Sequence, residues 1–428
     1  MWTSAHIRQS PEAADVLPSP SQPGRIRRSV LFSLLGTTLL PLFPAQAMAG
    51  PCADVTGAVY VSVPASAEPY VEKIAQLLQL DDAKPVPVIW QATTSCRGVE
   101  AVALDSTPSG ACAAGACLKG TAKVWPLDRS PVKTCELDKN GTHINLALSE
   151  VFPASCPTFA VTPAMGILDL PGPVSPYALV MSPQAMEGAM HAQEAHFVFG
   201  AGKAAGVKPW LNDAAVFLLG DRDAGPLLLS PRIQLPIGKW RTGRQVNTAD
   251  EVITGLSSDQ GAALGILPTA IIDKRRGEVR TLGFQSMGQH GAFFPDRKFS
   301  SFDKQNVRDG HYSLWGYLHM ILRADPGMPG KPLSTAAGRV ANILLGRETV
   351  ASRDTVPMQL SAGFVPQCAM RVSKASDSAS LTPMAAPADS CSCWFEKNVT
   401  GGLLNCAECK GGAACSTGTC RREFCEVN

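Results

Sequence analysis

Charge is the first thing this chain is short of. Only 17% of its 428 residues are Asp, Glu, Lys or Arg, 38 basic against 36 acidic, for a formal net charge of +2. A surface built for a polyanion needs a basic excess that is missing here, so nucleic acid is not an expected partner. Gly-x4-Gly-Lys-Ser/Thr phosphate loops and Gly-x-Ser-x-Gly nucleophile elbows are absent, which removes two readable routes to nucleotide and acyl chemistry. No internal repeat is visible, so a solenoid is not expected. The apolar run from Val30 to Phe43 falls short of the ~20 residues that a membrane helix needs.

What is present begins with an export pattern. Arg25, Arg27 and Arg28 precede that apolar run, and the small residues AQAMAG follow it. The pattern predicts a leader and signal peptide over 1–49, cleaved after Ala47 or Ala49, and hence a periplasmic or secreted chain. Fourteen cysteines behind such a signal predict disulfides. They fall in two groups, with none between Cys156 and Cys368. Cys112 and Cys117, in GACAAGACLKG, are expected to pair locally; Cys96 is expected to pair with Cys135 or Cys156 rather than to serve as a reactive thiol. Seven cysteines crowd into 391–428 without a histidine, which predicts a small disulfide-bridged module rather than a zinc site. The Ser-, Ala- and Pro-rich stretch before it, within 369–390, reads as a linker.

Between the cysteine groups, short apolar runs alternate with helical phrases. GAVYVSVP (57–64), VPVIWQAT (86–93), HINLAL (143–148), YALVMS (177–182), AAVFLLG (214–220) and ALGILP (263–268) read as buried strands. EPYVEKIAQLLQL (68–80) keeps helical spacing at Tyr70, Ile74, Leu77 and Leu78. The alternation predicts an α/β fold. ATTSCRGVEAV (92–102) reads as a strand-to-helix turn, with the helix opening near Arg97 and Gly98; backbone N–H groups at such a start bind anions or simply receive a Ser/Thr cap. HAQEAH (191–196) has the wrong spacing for the zinc-protease patterns and is expected to be a packed or solvated face. RIQLPIGKWRTGRQ, with Arg232, Lys239, Arg241 and Arg244, reads as an exposed loop or an anion funnel.

In order along 55–345, VYVSVPASAEPYVEKIAQLL, VIWQATTSCRGVEAV, INLALSEVF, VFGAGKAAGVKPWLNDAAVFLLGDRDAG, ALGILPTAIID and NVRDGHYSLWGYLHMI resemble phrases of the type II periplasmic substrate-binding proteins, most closely the phosphate-binding components of ABC transporters. The resemblance implies a two-lobed fold: lobe 1 from 50–175 and 271–368, lobe 2 from 176–270, then a linker at 369–390 and a disulfide-rich module at 391–428. It also implies an aromatic-led last long helix after residue 310. The function implied is non-enzymatic. A monomer closes over a small anion such as phosphate, without cofactor or metal, for ABC-type uptake or sensing with a membrane component as possible partner. Carried over by position, the ligand contacts are Ser66, Ala67, Ser95, Cys96, Arg97, Gly98, Glu150 and Arg222. This chain departs from that pattern at Pro64, Asp223 and Pro226, where donors are lost or negative charge is added. A related oxyanion, an organic ligand, or an interaction protein with a degenerate cleft and a partner-binding C-terminal module therefore remain open.

Overall fold

A computed structural model describes residues 50–426 except 106–111, 113–116, 127, 129, 158–159, 161, 163–164, 221, 259–260, 385–386, 388, 403–405 and 413. The expected leader and signal segment lies outside the described residues. Among the described residues no helix is long and apolar enough to cross a membrane.

Every run read as a strand contains one, and apart from Gln91–Thr93 these strands are largely buried, in the manner of sheet interiors covered on both faces. In chain order the strands are β1 (Val59–Pro64), β2 (Val88–Thr93), β3 (Thr121–Val124), β4 (Lys133–Glu136), β5 (Leu146–Ser149), β6 (Ile167–Met181) and β7 (Ala189–His191). There follow β8 (Val216–Leu219), β9 (Arg244–Val246), β10 (Leu264–Pro268), β11 (Arg280–Thr281), β12 (Gly283–Gln285), β13 (Trp315–Asp325) and β14 (Met328–Pro332). The main sheet runs β4-β3-β2-β1-β5-β13-β6-β10-β8-β9, with β11 added to β6 and β14 to β13. β2, β1 and β5 are mutually parallel, as are β10, β8 and β9. Long strands β6 and β13 join the two groups. Leu168–Leu170 of β6 face Met320–Leu322 of β13 in the first half, Val174–Pro176 face Trp315–Tyr317 at the crossing, and Tyr177–Val180 then pair with β10 in the second. Two sheet halves connected by two crossing strands match the periplasmic-binding-protein-like, type II expectation.

The first half is covered by α1 (Glu68–Gln79), whose Tyr70, Val71, Ile74, Leu77 and Leu78 are buried. At about 1.5–3 kcal/mol per large apolar side chain, that face contributes on the order of 10 kcal/mol before entropy is counted. The Tyr70 hydroxyl donates to the Leu344 carbonyl at 2.7 Å, fixing α1 against the 335–344 helix. On the other face lies α2 (Ser95–Ala103), which begins two residues earlier than its sequence indicates because Thr94, not Ser95, is the cap. α3 (Ala192–Ala201), α4 (Ala224–Arg232) and α5 (Ala249–Ser258) belong to the second half.

The segment around Trp315 differs from expectation. It does not introduce a helix: it is the eleven-residue β13, buried on both faces from Trp315 to Leu322, and the helix comes only at Thr335. The 369–390 stretch has almost no regular structure, yet it is pinned. Lys374 and Asp377 are buried and ion-paired at 3.0 Å, and Asp377 accepts from Phe152 N–H at 2.8 Å and Ser155 Oγ at 2.7 Å. Arg232 donates to the Asp377 and Ala379 carbonyls from the second half.

Seven disulfides close the described cysteines. Cys96 pairs with Cys156 and Cys112 with Cys117, as the sequence suggested, and Cys52 takes Cys135. Cys368–Cys391 ties the C-terminal segment to the body, and Cys393–Cys406, Cys409–Cys420 and Cys415–Cys425 bridge the segment itself. The segment is also joined by packing: Phe395 is buried, and the buried Arg308 guanidinium is ion-paired with Glu396.

One glycine sets the crossing. A Cβ on Gly316 of β13 would lie 1.8 Å from the Glu150 carbonyl oxygen, a backbone atom that cannot step aside. Gly316→Ala is expected to destabilise the protein by at least ~2–3 kcal/mol. Gly277→Ala, with no atom within 4 Å, should stay within about 0.5 kcal/mol. Denaturant titration of both variants checks the difference.

Candidate functional site

The sequence-predicted residues converge where β1, β2 and β5 end and α1 and α2 begin. Glu150 immediately follows β5 and is fully buried. Its carboxylate accepts three hydroxyl hydrogen bonds: from Ser66 Oγ at 2.7 Å, Ser175 Oγ at 2.5 Å and Tyr177 Oη at 2.6 Å. Ser66 stands in the turn before α1, and Ser175 and Tyr177 project from the same face of β6 as it crosses between halves. The backbone N–H of Glu150 donates to Ser95 Oγ at 3.0 Å. A side-chain carboxylate of the chain itself thus occupies a cage of donors.

The start of α2 is also committed. Thr94 Oγ1 accepts from the Arg97 N–H at 3.3 Å, and the Thr94 carbonyl accepts from the Gly98 N–H at 3.2 Å. The Cys96 N–H donates to the Arg222 carbonyl at 3.4 Å, while its sulfur is held by Cys156. Gly98 is a packing residue here: an added Cβ would meet Ser62 Oγ at 2.8 Å and Ala147 Cβ at 3.2 Å, so its absence lets α2 lie close on β1 and β5. Ala67 is buried as the cap residue of α1, its N–H donating to the Pro64 carbonyl at 2.9 Å. Six of the eight predicted residues are therefore brought together with their polar groups satisfied internally, and Arg97 and Arg222 point to a neighbouring pocket.

That pocket, about 630 Å³, is lined by Gln91, Ala92, Thr93, Thr94, Arg97, Cys117, Leu118, Lys119 and Arg222. Glu100 lies between the two arginines, 3.1 Å from the Arg222 guanidinium and 3.7 Å from that of Arg97. Arg97 also donates to the Cys117 carbonyl at 2.6 Å. Three cations against one carboxylate leave the mouth electropositive.

Behind it the interior is acidic. Asp223 caps α4, accepting from the Ala224 N–H at 2.7 Å. Burial, followed by the charge of Glu150, pushes its carboxyl up to about 7. Burial likewise raises Glu150, opposed by the hydroxyls of Ser175, Tyr177 and Ser66. With three O–H donors Glu150 is the better-solvated acid, so it keeps the negative charge and Asp223 carries the proton near neutrality. Tyr177 is pushed well above the usual phenol range by burial and by both acids, so it donates throughout.

Sequence reading did not find Ser175, Tyr177, Lys119 or Glu100. A readable signal existed for the first two: in VSPYALVM they are the two polar-tipped residues of an otherwise apolar run, at i and i+2. HAQEAH serves as architecture: the His191 ring accepts from the Gln193 N–H, Glu194 reaches back to the His191 N–H, and His196 Nδ1 lies 2.9 Å from the Ile233 carbonyl.

Several solved structures are similar to the chain at low identity. The chain is similar to a putative phosphate ABC transporter substrate-binding protein with bound phosphate from Clostridium perfringens, at 8% identity and a TM-score of 0.48, covering 72% of this chain and 99% of that one. It is similar also to an ABC-type phosphate transport receptor from Vibrio cholerae, at 10% identity and a TM-score of 0.45, covering 72% and 99%. A mutant OxyR from Corynebacterium glutamicum matches at 11% identity and a TM-score of 0.38, covering 72% of this chain and 66% of that one. No protein-family model matches the chain. No curated protein matches it either.

The buried Glu150 and the half-buried Asp223 give the site a pH signature. An acid whose pKa is raised by folding binds its proton more tightly in the folded state, so stability is complete below the unfolded value near 4 and is lost as pH rises through about 7. The wild type is expected to lose a few kcal/mol between pH 4 and pH 7.5 from this source, and Asp223→Asn to flatten that slope. Denaturant midpoints taken across the range measure it.

Proposed function

We propose that this chain is an exported, non-enzymatic solute-binding protein that holds a small oxyanion, such as phosphate or an organic phosphate, for ABC-type uptake or sensing. The observation that carries the reading is the electropositive pocket at the end of β2, where Arg97, Lys119 and Arg222 meet the hydroxyl-bearing Thr93 and Thr94. The anion sits in that pocket. It displaces Glu100 from Arg222, exchanging one carboxylate for another acceptor with more oxygens to share among three cations. The deeper cage, where Ser66, Ser95 and Glu150 were expected to touch ligand, is served by Glu150 itself. Arg97, Lys119, Arg222 and the hydroxyls of Thr93 and Thr94 are the proposed ligand contacts. Cys96, Gly98, Ala67, Ser66 and Ser95 hold the wall behind them. The seven disulfides support an oxidising compartment for the mature chain.

A second reading has its own observation. The Glu150 carboxylate is satisfied, and the Cys96 N–H is spent on the Arg222 carbonyl. That favours a cleft which no longer takes a small ligand, and a chain that works through its C-terminal module as an interaction protein.

Calorimetric titration of the disulfide-intact mature chain with phosphate, sulfate and organic phosphates separates the two. The expected result is binding to at least one of them, weakened by Arg222→Ala roughly 10–100-fold, the equivalent of one charge-assisted hydrogen bond at about 1.5–3 kcal/mol. No heat from any of these anions, together with an unmoved melting temperature, would remove the oxyanion reading and leave the interaction one.

A further inference from the structure

We propose that the pocket between the end of α3 and the 235–241 loop is a second ligand site, one that takes a small organic anion carrying a flat ring, such as an aryl carboxylate or sulfonate. It shares no residue with the arginine pocket at the end of β2. Binding here is independent of whether that pocket holds an oxyanion.

Two stretches of sequence meet at this place. From Ala195 to Asn212, and again from Ala224 to Ala249, no acidic residue occurs, while Lys203, Lys208, Arg232, Lys239, Arg241 and Arg244 do. In a chain whose charges nearly cancel, that is a local basic excess. The fold sets His196, Phe197 and Gly200 of the first stretch against Leu235, Trp240 and Arg241 of the second, around a cavity of about 500 Å³. That volume lies in the range of small-ligand sites.

The lining combines what a ringed anion needs. Lys239 and Arg241 are exposed, and among the described residues neither side chain is hydrogen-bonded or ion-paired. Arg232, by contrast, is spent on the Asp377 and Ala379 carbonyls. Phe197 is 54% exposed, and half-buried Trp240 and Leu235 line the same cavity, so apolar surface is gathered beside the unpaired cations. Among the described residues no carboxylate lines the cavity. A flat ring stacks on the aromatic surface while its acidic group meets Lys239 and Arg241.

The walls are already in position. The Arg241 N–H donates to the Phe199 carbonyl at 2.8 Å and the Thr242 hydroxyl to the Val198 carbonyl at 2.9 Å, which bolts the loop to the last turn of α3. Trp240 Nε1–H donates to the Leu235 carbonyl at 3.0 Å, and its ring packs on Phe199 with centroids 4.5 Å apart. The indole is therefore fixed, with its one polar group spent and only ring surface to offer. His196 Nδ1 lies 2.9 Å from the Ile233 carbonyl, and its ring meets that of Phe197 edge-on at 5.6 Å. Gly200 keeps the floor low, since a Cβ there would come within 3.1 Å of Leu235 Cδ2. A ligand thus orders little beyond the two cations. The concave shape suits something that inserts; a flat bilayer would touch only the rim.

The test uses the full mature chain with its disulfides intact and two probes, indole-3-acetate and naphthalene-2-sulfonate. Calorimetry measures affinity, and saturation transfer from protein to probe in NMR reports contact with the ring protons. At least one probe is expected to saturate with a dissociation constant below about 1 mM, and its uncharged counterpart, tryptophol or naphthalene-2-sulfonamide, to bind at least ~10-fold more weakly. The Lys239→Ala, Arg241→Ala double variant should lose about 10-fold or more, and Phe197→Ala about 3–10-fold. All three side chains are exposed, so the melting temperature should not move. Saturation by neither probe would overturn the proposal. So would an uncharged counterpart that binds as tightly as its anion, or binding that none of these substitutions weakens.

Discussion

A carboxylate taken wholly out of water must be met by donors or give up its charge, and in this protein Glu150 is the group on which that requirement falls. Its three hydroxyl partners come from far apart in sequence: Ser66 before the first long helix, Ser175 and Tyr177 on the first crossing strand. Satisfying it therefore fixes the end of β5 relative to β6, across the intervening β13, and both relative to the α1 turn. The second crossing strand passes so close beneath that Gly316 has no room for a side chain. The meeting point of the two halves is thus decided by a polar group, while the apolar core fills in on either side.

The same requirement divides the acids and bases of the region by depth. Inside, Glu150 and Asp223 share a desolvated space that carries one negative charge comfortably and two poorly. Outside, Arg97, Lys119 and Arg222 gather from three separate elements around a solvent-reached pocket. Glu100, one turn along α2 from Arg97, keeps the two arginines from repelling each other.

Much of this architecture was readable. Apolar runs of four to eight residues gave the strands because a two-sided sheet demands them, and the helical spacing of Tyr70, Ile74, Leu77 and Leu78 gave α1. The Cys112–Cys117 bridge followed from proximity in sequence, and the crowded C-terminal cysteines followed from density. What failed to show was whatever depends on contact across long separations. Ser175 and Tyr177 look like ordinary strand residues until Glu150 is brought beside them. Trp315 to Leu322 is apolar but for Gly316 and the buried His319, a pattern that strand and buried helix share, and the family likeness pointed to a helix led from here. Residues 372–384 have a linker's composition, but Lys374 and Asp377 find buried partners that no local rule could supply.

Those last contacts bear on time as well as place. The Asp377 segment is bonded on one side to Phe152 and Ser155, beside the first half's β5, and on the other to Arg232 of α4 in the second. It is a strap between the two sheet halves. Parting the halves therefore means first breaking these partly buried hydrogen bonds, none of them made by a residue that lines the pocket. Any movement that parts the halves is therefore paced by release of the strap at 374–379, whatever the state of the pocket.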